Sequence, residues 1–349
     1  MPSADALARA GELHRSLTVV ECHGDVPMDV WRRRRAGERA PIADDYLGRW
    51  RTAGVDVEFM TVGGDMPLTM DAVGRPELRA LELIDDVVSD AEACPGVRVV
   101  RSRADLDEAL AAGQVALVLH LEGLMPVKGR VDLARTLHRL GVRSAQPTWN
   151  VRNEVADGIG EPSPAGLSAA GREVIAELDR LGVLLDVSHL APAGFWELTE
   201  LVRGPIVASH ANAAALCRHP RNLEDDQIRA IAASGGLVGA VFFPAFIGSE
   251  PTLERLIDHV DHLVEVAGID HVGVGPDYVD FARDLMVADM TYGGSSVYAP
   301  DGFDFPEGLR RVETLPVFTA GLLERGYAEA DVARILGGNM LRVLRQVLP

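Results

Sequence analysis

Residues 183–222 read VLLDVSHLAPAGFWELTELVRGPIVASHANAAALCRHPRN. Two short apolar runs, 183–187 and 205–208, each lead directly into Ser-His, and a helix-like segment, 192–202, lies between them. Short apolar strands alternating with helical segments predict βα units and a parallel sheet. In such sheets the side chains at the C-terminal strand ends face the active site. His189 and His210 hold that position on successive strands, which places them to meet across 21 positions of sequence.

The same alternation extends in both directions. Further strands are predicted at 17–25 (LTVVECHGD), 54–62, 115–122, 142–148, 236–243 and 270–277. Helical spacing predicts helices at 5–17, 76–93, 102–112 with Ser102 as N-cap, 131–140, 168–181 closed by Gly182, 223–234 and 252–267. Two more, 309–323 and 331–347, end the chain. Gly63, Gly64 and Asp65 read as a loop, the basic run WRRRRAGERAP at 31–41 as a solvated surface or loop, and 97–100 carries no assignment. Residues 151–166 and 278–308 form long loops, the second an ordered loop or lid. Eight strands, most followed by a helix, predict an α/β fold: a TIM-like (β/α)8 barrel with additional C-terminal helices, residues 1–349 forming one domain. A doubly wound open sheet is the competitor, and the lack of a Gly-x-Gly-x-x-Gly turn after the first strand counts against it.

The net charge of −18 argues against nucleic acid as a partner. No apolar run approaches bilayer length, and the N-terminus lacks a signal-type apolar core. Three cysteines, Cys22, Cys94 and Cys217, make no disulfide framework. These features predict a soluble cytoplasmic protein with no membrane partner.

Alternation along LTVVECHGD puts Glu21, His23 and Asp25 on one face and Cys22 on the other. The strand ends then gather His23, Asp25, Glu122, His189, His210 and Asp277 at one rim. Any one of these alone reads as a hydrogen-bonded core histidine or a paired acid. Together they form an imidazole–carboxylate set without thiolate, which suits zinc or a similar divalent ion. One catalytic zinc usually keeps three protein ligands, so this many donors fit two ions sharing a carboxylate better.

On the residues CHGDVP, LEG at Glu122, DVSH, SHANAAALCRHPRN, GVGPD and the C-terminal RGYAEADVARILGGNMLRVL, the chain resembles the membrane (renal) dipeptidase family of the amidohydrolase superfamily. The resemblance spans nearly the whole chain. It implies a TIM-like barrel with two Zn2+ ions: His23 and Asp25 on one, His189 and His210 on the other, and Glu122 bridging. It further implies that a hydroxide shared by the ions attacks the carbonyl of a dipeptide, often one with a D-residue in the second position. Asp277 then acts as general base and acid, and Arg221 binds the substrate carboxylate. A homodimer is a further implication. Trp149, Asn150 and Asn153, after the strand at 142–148, are candidate substrate contacts.

The chain departs from the family pattern in several places. Trp149 stands where some members have a histidine that steadies the carbonyl oxygen. Gly24 replaces an asparagine, Glu21-Cys22 replaces Asp-Gly, and His120 replaces a small residue on the strand of Glu122. The metal set is intact, so the substrate is what these departures affect. The alternatives are an amidohydrolase for a non-peptide amide, N-acyl amino acid or lactone, and a barrel that binds a small molecule without turnover.

Overall fold

A computed structural model of the chain describes residues 1–65, 74–279 and 305–349. Nine strands lie among them: β1 (Val19–Gly24), β2 (Val55–Gly64), β3 (Val97–Val99), β4 (Val115–Glu122), β5 (Val142–Gln146), β6 (Leu184–Asp186), β7 (Ile206–Ala208), β8 (Leu237–Ala240) and β9 (Val272–Val274). All pair in parallel, in the order β1-β2-β4-β5-β6-β7-β8-β9. The outer strands approach each other, since a Cβ on Gly273 of β9 would lie 3.7 Å from Cys22 Sγ of β1. The result is a nearly closed barrel of eight strands wrapped by helices. The helices Leu315–Arg325, Glu329–Ala333 and Asn339–Val347 follow the last strand as additions to it.

Apolar packing falls into two layers. One lies between strands and helices and includes Val19, Val55, Met60, Leu117 and Phe195. The other fills the lower barrel interior with Val20, Cys22, Val57, Phe59, Ala116, Val118, Leu184, Val207 and Leu237. Met340, Val343 and Leu344 of the last helix pack against that interior group and plug the barrel floor. The open end is therefore the C-terminal one, where βα folds place chemistry.

Four expectations need correction. Simple alternation fails in β1: its pairing with β2 shifts register between Glu21 and Gly24. Cys22 therefore packs in the barrel interior, while Glu21 lies with Glu58, Tyr46, Arg49 and Trp50 in the outer layer, and the bulge brings His23 to the inner rim. Second, the four consecutive arginines of the basic run end the helix Val26–Arg35, and only the part after them, 36–40, is loop. The run's charge is neutralised in place: Arg33 meets Glu38 and Asp45 at 2.7 Å each, Arg34 meets Asp86 at 2.9 Å, and the Arg79 guanidinium lies 3.7 Å over the Trp31 ring. Third, 97–99 is a strand that pairs with Val115–Leu117, below the stretch of β4 that pairs with β5. Fourth, Gly63 and Gly64 belong to β2, and the helix predicted from residue 309 begins at Leu315. The expected lid, 278–308, falls mostly outside the described residues. No helix among those described is long and apolar enough to cross a membrane.

The N-terminal helix Ala4–Ser16 is tied to the barrel by His14, buried with Nδ1 2.6 Å from Ala53 O and Nε2 2.7 Å from Thr319 Oγ1. Burial pushes its pKa below the ordinary 6.5. An unfolded chain therefore takes up a proton there before the folded one does, so stability falls as pH drops below about 6.5. Replacing His14 by Gln should flatten that acid slope in urea titrations, and His14→Ala should cost about 1–3 kcal/mol through its two orphaned partners. An unchanged slope in the Gln variant would contradict this role.

Candidate active site

Each rim residue is placed by a strand end or the turn after it. His23 is the last residue but one of β1, Glu122 ends β4, and Asp25 stands just before the helix Val26–Arg35. His189 and Asp277 hold left-handed backbone, φ 66° and 61°, a conformation sparsely used by residues with a Cβ. At both positions the strand turns sharply, which returns the side chain to the rim.

Six of the predicted residues form one cluster, and four of them meet at one point. Glu122 Oε1 lies 3.2 Å from His189 Nε2, 3.5 Å from His23 Nε2 and 3.7 Å from His210 Nε2. On the far side of His23, Nε2 lies 3.7 Å from Asp25 Oδ1 and 3.9 Å from Asp277 Oδ1. His23 thus stands between a group with Glu122 and His210 and a group with Asp25 and Asp277, each close enough to surround one cation.

Hydrogen bonding decides which nitrogens are bare. Asn150 Oδ1 lies 2.7 Å from His189 Nδ1, and as a carbonyl oxygen it can only accept, so Nδ1 carries the proton. His210 Nδ1 lies 2.8 Å from Ser209 Oγ. His189 Nε2 and His210 Nε2 then face each other at 3.0 Å, and with Nδ1 protonated on both rings two lone pairs oppose each other. Both His23 nitrogens, Asp25 Oδ1 and Glu122 Oε2 are buried without a protein hydrogen-bond partner. Buried unpaired groups of this kind cost stability unless something satisfies them.

The titration behaviour has the same cause. Burial holds His23, His189 and His210 well below the usual imidazole range. Burial, then the Asp277 charge, raises Asp25 to about 8, and burial with Asp25 and Asp277 holds Glu122 well above the carboxylate range. Divalent cations reverse the penalty on the acids and use the neutral imidazoles as they stand. The donor set therefore fits a pair of divalent ions.

Beside His189 opens a cavity of about 360 Å³, lined among others by Ile159, His189, Leu190, His219, Arg221 and Gln227. Arg221 is buried, its Nη2 donating to His210 O at 3.1 Å and its Nε unpaired. Trp149, also buried, packs its ring 5.9 Å from that of His189. Asn150 and Asn153, the expected substrate contacts, both make hydrogen bonds within the protein. Asn150 holds His189, while Asn153 gives its amide to Asp65 Oδ2 at 2.7 Å and Pro147 O at 2.9 Å. Asn153 Oδ1 accepts from the backbone N–H of Val155 and Ala156.

Sequence reading passed over three buried residues of the site. Asp65 accepts from the backbone N–H of Met125 at 2.7 Å and of Trp149 at 3.1 Å, besides Asn153, and so joins the loops after β4 and β5. Burial raises its pKa to about 7. A Cβ at Gly123, whose φ is 109°, would strike its carboxylate, so the Gly-Gly-Asp and Glu-Gly signals belong together. Asp186 and Ser209 sit under His210, and their polarity next to Ser-His was the available signal. A Cβ at Gly24 would meet the carboxylate end of the buried Glu58 side chain.

The model of the membrane dipeptidase family (peptidase family M19) matches residues 7–289 and 294–348. The chain is 33% identical over 269 residues to the uncharacterized protein in the pqqA 5' region of Klebsiella pneumoniae, covering 74% of this chain and 91% of that one. It is 32% identical over 241 residues to dipeptidase aclJ of Aspergillus oryzae, covering 67% of this chain but 52% of the relative. A Rhodobacter sphaeroides metallopeptidase, solved with a phosphinate mimic of the dipeptide L-Ala-D-Ala, superposes with TM-score 0.80 at 26% identity, covering 95% of this chain and 99% of that one. Family match, barrel and rim agree, and the chain belongs to the membrane dipeptidase family of metallopeptidases.

Proposed function

We propose that this chain is a zinc-dependent dipeptidase whose two ions are held by His23 and Asp25 on one side and His189 and His210 on the other, with Glu122 between them. The observation that carries this reading is the convergence of three imidazole Nε2 atoms on Glu122 Oε1 within 3.7 Å. When bound, the ions supply the Lewis acidity that activates water and polarises the scissile carbonyl.

The protein's own groups do the rest. Asp277 lies across the His23 side of the set, its side chain partly exposed. Burial, eased by Arg221, raises its pKa to about 6. A carboxylate near that value accepts a proton from attacking water and returns it to the leaving amine at neutral pH. Arg221, with its unpaired Nε beside the cavity, offers a planar fork for a substrate carboxylate. Trp149 covers His189 and excludes water from that side. A free dipeptide supplies both a carbonyl for the rim and a carboxylate for Arg221. The dipeptide mimic bound to the Rhodobacter sphaeroides relative supports a D-residue in the second position.

Asp277→Asn should lower kcat by about 10²–10⁴-fold while zinc content, read by atomic emission, stays at the wild-type value. Loss of metal in that variant would make Asp277 a ligand instead. Arg221→Lys should raise KM for dipeptides by roughly 10-fold or more, in line with about 1.5–3 kcal/mol for a charge-assisted hydrogen bond, and leave dipeptide amides unaffected. An equal effect on both substrates would remove the carboxylate from the account. Chelation should abolish turnover and zinc should restore it. Turnover of N-acyl amino acids with no dipeptide hydrolysed would favour the wider amidohydrolase reading.

A further inference from the structure

Asp186 ends β6 beneath the rim and is fully buried. Its Oδ1 accepts from the backbone N–H of Ser188 at 2.9 Å and of Ser209 at 3.0 Å. Its Oδ2 accepts from Gln146 Nε2 at 2.9 Å and from the Ser209 hydroxyl. Four donors from three strand ends thus converge on one carboxylate, which acts only as an acceptor.

This arrangement fixes the order of protons. The Ser209 hydroxyl has one proton and gives it to Asp186. Toward His210 Nδ1, 2.8 Å away, Ser209 Oγ can then only accept. The proton of His210 must sit on Nδ1, and Nε2 is left bare toward Glu122. His189 reaches the same state without a relay, because Asn150 Oδ1 accepts from it directly.

We propose that Asp186 is a positioning residue for the metal centre: through the Ser209 hydroxyl it selects the His210 tautomer whose Nε2 can hold a cation. The proposal rests on the metal-dependent reading above, and outer partners of this kind tune ligand basicity in metal sites generally.

Asp186→Asn tests it almost without change of volume. The backbone N–H groups of Ser188 and Ser209 hold the new carbonyl oxygen at the Oδ1 position. The amide NH2 therefore takes the Oδ2 position, where Gln146 meets it by turning its unpaired Oε1 inward. Ser209 now accepts from Asn and gives its proton to His210 Nδ1, so the ring proton moves to Nε2 and blocks ligation.

Two measurements follow on full-length, metal-stripped protein. Zinc affinity is read by competition with a chromophoric chelator, and the His210 tautomer by ¹⁵N NMR. In D186N the affinity for one zinc should fall by about 10–100-fold, the tautomer should shift to Nε2–H, and the melting temperature of the stripped protein should hold. S209A should weaken zinc similarly, and the double variant should bind no worse than S209A. Wild-type affinity with an Nδ1–H tautomer in D186N overturns the proposal. If D186N fails to fold, wild-type affinity in S209A overturns it. If wild-type protein takes up no zinc, the metal reading fails, and the NMR comparison alone still decides the relay.

Discussion

The centre of this protein depends on one unfavourable arrangement. Two imidazole nitrogens face each other at 3.0 Å, and a buried carboxylate oxygen stands within 3.7 Å of both. With both Nδ1 positions protonated, neither ring can donate across that gap. Lone pairs oppose each other, and the acids are driven toward neutrality by burial. A barrel of parallel strands can hold such a cluster because its lower interior and floor are apolar and closely packed. Cations turn the same cluster into a favourable one, so fold stability and chemistry meet at this rim.

Around the cluster, each donor is aimed by a different device. A register shift turns His23 to the inner rim, left-handed backbone turns His189 and Asp277, and Asn150 and Ser209 fix ring protons. Asp65 joins two loops through their backbone N–H groups and keeps Trp149 in place. A cavity lined by Arg221 opens beside the cluster and shares His189 with it.

Much of this was legible in the sequence. The βα alternation and the rim set come from residue type and position, because strand ends in such barrels face one way, whereas Arg221 entered only through the family resemblance. What escaped notice did so for physical reasons. Period-two alternation assumes a regular strand, and the register shift in β1 breaks it between Cys22 and His23, which then share the inner side. A run of arginines reads as solvated unless its partners are known, and those lie far off in sequence, at Asp86 and Asp45. Three residues at 97–99 are too few to show a period. Asp65, Asp186 and Ser209 act through hydrogen bonds to distant backbone and side chains, which spacing alone does not reveal. The bond from Asn150 Oδ1 to His189 Nδ1 likewise joins residues 39 positions apart and has no signature in spacing.

The most direct test of the central claim is anomalous diffraction at the zinc absorption edge from zinc-loaded crystals. Two peaks are expected, one bounded by His23 and Asp25, the other by His189 and His210, with Glu122 in contact with both. A single peak, or peaks away from Glu122, would contradict the account.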